Sequence, residues 1–240
     1  VAVVLAGWEA AVRLLHTPDY LLPGPSAIAS ALVDDRALLA RATEVTLVEV
    51  LLGYALGVVV ALVVASAIHF STTLRYTLVP LLVLSQTIPI VVIAPILVIL
   101  LGFALAPKLV IVGLVCFFPI VVNAVDGLRS ADPTRIELMR SYAASRFAIF
   151  RHLSIPTALP SIFSGARVAA TYAAVGAVFA EWAGSSGGLG FVIVQAQPAL
   201  ATARIFAAVT VVCVIALVLY GSVALVERTF IPQRGELRRG

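Results

Sequence analysis

Apolar residues gather in long unbroken runs, at about 1–15, 44–68, 77–101, 107–126, 161–182 and 203–226, joined by short polar connections. A helix that crosses the hydrocarbon core of a bilayer needs about 20 such residues. The runs are continuous, whereas a membrane β-barrel needs alternation in ten-residue segments. Helices remain as the way to satisfy the backbone in lipid. Composition agrees, with 62% of the 240 residues hydrophobic and 12% charged, against about 45–50% and 25% in soluble domains. The chain reads as an all-α, polytopic membrane bundle of about six transmembrane helices, a single domain over 1–240 with little room for a soluble one.

The first run, Val1 to Leu15, has no basic region ahead of it and no small-x-small cleavage signal. It reads as a first membrane helix, cut short at its N-terminal end, rather than a signal peptide. After it, Leu21-Leu22-Pro23-Gly24-Pro25-Ser26 forms a turn, and residues 26–41 are expected as a short amphipathic helix capped by Ser26. Cys116 and Cys213 sit inside apolar runs as small core residues. His16, His69 and His152 are scattered, with no metal-ligand spacing.

Lys and Arg counts set the orientation. With a cytosolic N-terminus, the inner loops hold Arg75, Arg129, Arg135, Arg140, Arg146, Arg151, Arg228, Arg234, Arg238 and Arg239, and the outer loops hold Arg36, Arg41, Lys108 and Arg204. The positive-inside rule then places both termini and the 127–160 loop in the cytosol of a multi-pass cell membrane protein. The basic balance is explained by lipid topology, with no nucleic acid required.

The 127–160 loop is a polar, Arg-studded island between apolar runs. Asp132-Pro133 is suited to start a helix, the carboxylate at the N-cap and proline in the first turn. Residues 134–146 are expected as a surface helix whose Ile136, Met139 and Ala143 form a stripe able to enter a groove on a partner. Glu137, Arg140 and Arg146 rim that stripe. A plain interfacial helix fits the pattern as well. No nucleotide site is present, because a Walker A loop needs Gly-Lys-Ser/Thr and the only lysine, Lys108, follows Pro107.

The spacing from Glu137 through Ala143 to Leu153-Ser154-Ile155-Pro156 resembles the EAA loop of ABC importer permeases: Glu-Ala-Ala, three residues, Gly, nine residues, then apolar-x-apolar-Pro. Leu138 and Met139 replace the alanines and Ala143 the glycine, and a methyl there disfavours a left-handed bend. Gly127-Leu128-Arg129-Ser130, Ala144-Ser145-Arg146-Phe147, Ser164-Gly165-Ala166-Arg167, Ala180-Glu181-Trp182 and Gly187-Gly188-Leu189-Gly190 extend the likeness to the nitrate, sulfonate and taurine branch. It implies a type I importer permease fold and a non-enzymatic subunit with no cofactor of its own. It also implies a homodimer served by an ATP-binding cassette subunit and an extracytoplasmic substrate-binding protein. Glu137, Met139, Arg140, Ala143, Ser145, Arg146 and Pro156 are the coupling residues it implies.

Polar side chains inside a membrane segment are default candidates for a solute path. Ser85, Gln86, Thr87 and Pro89 make one such cluster, with Pro89 expected to kink the third helix; glue at a helix seam is the alternative. Asn123 and Asp126 are candidates for an inner gate, with Asp126 equally able to pair with Arg129. Glu181, beside Trp182, is a gate, a binding-protein contact or an interfacial partner for an arginine. Glu49 closes a capping box with Thr46 or pairs across helices. Residues 184–190 are expected as a flexible outer loop.

A gradient-driven secondary transporter is disfavoured by the absence of an inverted repeat and of midplane charge. A membrane scaffold protein is the other rival. Gln86-Thr87-Ile88-Pro89 with Ala180-Glu181-Trp182 resembles the sub-branch that imports thiamine-precursor pyrimidines, with sulfonate, taurine or nitrate cargo as the alternative.

Overall fold

The computed structural model describes residues 2–231, and every regular element among them is helical. In chain order these are α1 (Ala2–Leu14), α2 (Pro25–Asp34), α3 (Arg36–Phe70), α4 (Thr72–Ser85), α5 (Ile90–Leu101), α6 (Leu105–Arg129), α7 (Pro133–Ser141) and α8 (Arg146–Ile149). One wide π turn (Phe150–Ser154) then leads into α9 (Ile155–Gly184), followed by α10 (Leu189–Ala196) and α11 (Thr202–Phe230).

Among the described residues, four helical rods are long and apolar enough to cross a membrane: α3, α6, the continuous Arg146–Gly184 and α11. A fifth crossing exists if α4 and α5 count as one span. The first run forms only the 13 residues of α1, about 20 Å at 1.5 Å per residue, too short to span alone.

The third run is a broken helix rather than a kinked one. Pro89 has no amide to give the Ser85 carbonyl, and it drives Ile88 out of the helical region. The Ile88 N–H turns back to Ser85 O at 3.4 Å, Pro89 caps α5 in extended backbone, and the two axes meet at 100°. The expected 26–41 helix is also divided. Gly24 is the N-cap of α2, and α3 starts at Arg36. Ser26 instead clips α2 to α1, its N–H and Oγ meeting the Glu9 carboxylate at 3.0 and 2.7 Å.

The core lies where α9 crosses α6. Side chains do not gain hydrophobic energy by leaving lipid for protein, so close packing of small residues holds such a seam. Ala158, Gly165, Ala169, Ala173 and Gly176 of α9 are buried, as are Val112, Cys116, Ile120 and Ala124 of α6. The other side of α6 receives α3, whose Gly53 lies on Val112 and whose Gly57 lies on Gly113.

Charge is sorted as the arginine count requires. Arg75 and Arg129 line one small cavity with His69, Phe70 packs at a tilt against Phe150, and Phe230 stacks on Phe163, so these arginine-rich connections share one end. At the other end Arg204 makes a two-pronged pair with Asp35 at 2.7 and 2.8 Å, and Lys108 is buried against Glu49. Arg234, Arg238 and Arg239 lie outside the described residues.

Candidate functional site

At the arginine-rich end the expected loop shrinks, because α6 runs on to Arg129 and the next rod starts at Arg146. The expected helix is shorter too, α7 ending at Ser141. Asp132 caps it, accepting from Thr134 N at 2.8 Å, with Pro133 in the first turn. At its far end Ala144 N donates to Met139 O at 3.0 Å and Ala143 N to Arg140 O at 2.9 Å. These two bonds define a Schellman stop, and Ala143 takes the left-handed position with φ 57.

The expectation that the methyl would alter the bend is therefore overturned. Alanine adopts the glycine conformation, because the two bonds that end the helix require it. That backbone costs an L-residue about 1–2 kcal/mol. Ala143→Gly is expected to stabilise the turn by about 1 kcal/mol, slowing hydrogen exchange at Ala144 roughly fivefold. Unchanged exchange would mean that the strain is absent.

Ser145 then caps the following rod through Ala148 N at 3.1 Å. Pro156 sits inside that rod rather than at a loop end, directly after the π turn. Proline supplies no amide and crowds the carbonyl four residues back, and the widened turn absorbs both defects. The exposed face of this segment differs from the expected stripe. Ile136 and Met139 are half-buried, whereas Leu138, Tyr142 and Phe147 are 56%, 80% and 63% exposed. Glu137, Arg140, Ala143 and Arg146 are exposed beside them. Sequence reasoning missed this second face, although the i, i+4 spacing of Leu138 and Tyr142 carries it.

Ser85, Gln86, Pro89 and Asn123 line one cavity of about 870 Å³. The break between α4 and α5 forms one wall, and α6 contributes Phe117, Phe118 and Asn123 opposite, with Tyr172 from α9. Asn123 Nδ2 donates to Pro119 O at 2.7 Å, which leaves its carbonyl oxygen free to accept. No charged residue is among the described residues of the lining. Thr87 is exposed but does not line the cavity, and its hydroxyl is turned onto Leu84 O at 2.7 Å. Asp126 is exposed and makes no ion pair with Arg129.

A second cavity of about 590 Å³ lies between α3, α6, α9 and α11. Its hydroxyls are spent on backbone carbonyls: Tyr54 on Ala166 O, Ser66 on Leu62 O and Ser222 on Val218 O. Hydrocarbon suits it better than a polar solute.

Glu181 belongs to neither cavity. It is 2% exposed, accepting from Thr46 Oγ at 2.6 Å and from the Gly190 N–H that begins α10. It is neither an interfacial partner of an arginine nor part of the cavity wall. Thr46 lies in the middle of α3, so no capping box forms with Glu49, whose partner is Lys108. The 184–190 loop is tied down: Ser185 Oγ bonds Lys108 Nζ and Gly187 O, and Leu189 N donates to Thr46 Oγ.

Residues 53–232 match the family model described as "Binding-protein-dependent transport system inner membrane component". A "Probable ABC transporter permease protein" of Haemophilus influenzae is 36% identical, covering 96% of this chain and 94% of the relative. The "Formylaminopyrimidine transport permease protein ThiX" of Halalkalibacterium halodurans is 31% identical, covering 95% and 91%. Other relatives are named for riboflavin, aliphatic sulfonate and taurine transport. The fold is shared with a chain of the MetNI methionine ABC transporter in an inward-facing form, with TM-score 0.70 and 19% identity over 82% of this chain and 97% of that one. This chain belongs to the family of binding-protein-dependent transport system inner membrane components.

Proposed function

We propose that this permease subunit imports a small, uncharged heterocycle of the pyrimidine type, as a homodimer driven by a separate ATP-binding subunit and supplied by an extracytoplasmic binding protein. The observation that carries this reading is the lining of the 870 Å³ cavity, where the amides of Gln86 and Asn123 meet Phe117, Phe118 and Tyr172 with no charged residue. Aromatic faces and amides suit a flat, hydrogen-bonding ring. A sulfonate or nitrate would call for a cationic side chain such as arginine, and the described residues of the lining include none.

A second copy would close the cavity. α4 has no buried residue and α5 exposes Val91, Val92, Ile96 and Ile99, leaving a broad apolar face beside the cavity wall. Twofold symmetry also gives two coupling elements for two ATPases. Rocking of the two copies would then alternate access to the shared cavity.

Uptake into proteoliposomes holding the permease, its ATPase and its binding protein tests the cargo, with a formylaminopyrimidine, a hydroxymethylpyrimidine, taurine, an alkanesulfonate and nitrate compared. ATP-dependent uptake of a pyrimidine alone is expected. Uptake of taurine, a sulfonate or nitrate instead overturns the cargo reading and leaves the importer role standing. Gln86→Ala removes one hydrogen bond worth about 1 kcal/mol, so the KM for the pyrimidine should rise roughly fivefold with the complex intact.

A further inference from the structure

The end of the bundle opposite the arginine-rich loops holds a charge cluster that the transport cavity does not use. Glu49 of α3, Lys108 of α6 and Glu181 of α9 are 1%, 7% and 2% exposed. Lys108 Nζ lies 2.7 Å from Glu49 Oε1 and 2.7 Å from Ser185 Oγ. Both Glu181 oxygens accept, one from Thr46 Oγ and one from Gly190 N. Thr46, three residues before Glu49 on α3, donates to Glu181 Oε1 at 2.6 Å, so the two carboxyls are neighbours in one buried cluster. Glu49 Oε2 is nevertheless buried without a partner.

Two facts are left unexplained by the ion pair alone. Two carboxylates and one ammonium leave a net negative charge out of water, and an uncompensated buried charge is strongly destabilising. A buried carboxylate oxygen also lacks a donor, which is costly in itself. One added positive unit at Glu49 Oε2 removes both problems.

We propose that Glu49 and Glu181 share a single bound proton across Glu49 Oε2, so that the cluster with Lys108 is neutral. A proton fits better than a metal ion. The groups facing the two carboxyls are donors: the Lys108 ammonium, the Thr46 hydroxyl and the Gly190 N–H. A metal would need acceptors and would sit beside an ammonium. No group of three or more His, Cys, Asp or Glu side chains suited to a metal occurs among the described residues. The proton belongs to the pair rather than to either residue. Since Ser185, Leu189 and Gly190 hang on this cluster, the proton also holds the outer loop to the bundle.

Infrared spectroscopy of the purified chain in lipid nanodiscs, in D₂O at neutral pH, tests this directly. A protonated carboxylic acid has a carbonyl band distinct from the carboxylate stretches, and one slowly exchanging band is expected. Glu49→Gln and Glu181→Gln should each abolish it, because Lys108 then balances the one remaining carboxylate. Lys108→Met should double it, because nothing is left to balance either. A wild-type chain without the band overturns the proposal, as does a band that survives both glutamine variants or one that Lys108→Met leaves unchanged. The wild-type spectrum alone decides if a variant fails to fold.

Discussion

Gly165→Leu is expected to destabilise the bundle strongly. A Cβ at Gly165 would stand 2.5 Å from Pro119 O, 2.8 Å from Asn123 Cβ and 3.1 Å from Ile120 Cα. Two of these three atoms are backbone of α6, which no rotamer change can move aside. Overpacking in a tight core costs about 1–3 kcal/mol where side chains can yield, so the upper end, at least about 3 kcal/mol, applies. At this chain length that corresponds to a fall of roughly 6–12 °C in the unfolding midpoint, read by thermal circular dichroism in detergent. Asn123 lines the cavity proposed to carry the solute and Pro119 holds its amide, so parting α6 from α9 should also remove uptake. Gly221 is the internal control. Nothing lies within 4 Å of its ideal Cβ, so Gly221→Ala should be neutral or more stable by about 0.5–1 kcal/mol, because it relieves a helix-interior glycine. Equal losses at both positions would show that the α6–α9 seam is not the tight contact.

The sequence made the apolar rods legible because lipid imposes a length and a composition that read directly from the chain. It did not show whether 77–101 would kink or break. A proline inside an apolar run permits both outcomes, and the 100° angle depends on where α5 packs. The Glu49–Lys108 and Thr46–Glu181 contacts were hidden for another reason. They join residues 59 and 135 positions apart, whereas pattern reasoning sees neighbours within a turn or two. For that reason Lys108 read as a loop cation and Glu181 as an interfacial carboxylate. Ala143 shows the limit of a local rule: its intrinsic preference opposed the left-handed turn, and the Schellman bonds of α7 outweighed about 1–2 kcal/mol. The polar cluster around Gln86 was readable as a cavity candidate because polar side chains in a membrane segment need protein or water. Its aromatic opposite wall, Phe117 and Phe118 on α6, came only with the fold.

The choice of face on α7 has the largest functional consequence. α7 carries apolar residues on both sides, so periodicity alone could not decide between Ile136 with Met139 and Leu138 with Tyr142. In the fold the first pair is half-buried and the second is exposed with Phe147. If the outward face is what an ATP-binding subunit grips, Tyr142→Ala and Phe147→Ala should each behave as loss of an interface anchor, about 2 kcal/mol, or roughly thirtyfold weaker association. Copurification of the ATPase should fall, and ATP hydrolysis should cease to respond to a loaded binding protein. The unfolding midpoint of the isolated permease should hardly move, because these side chains are exposed. Ile136→Ala and Met139→Ala leave the composition of the exposed face unchanged, so copurification of the ATPase should persist. Should those two substitutions abolish ATPase binding while Tyr142→Ala and Phe147→Ala leave it intact, the partner grips the Ile136–Met139 side of α7 instead.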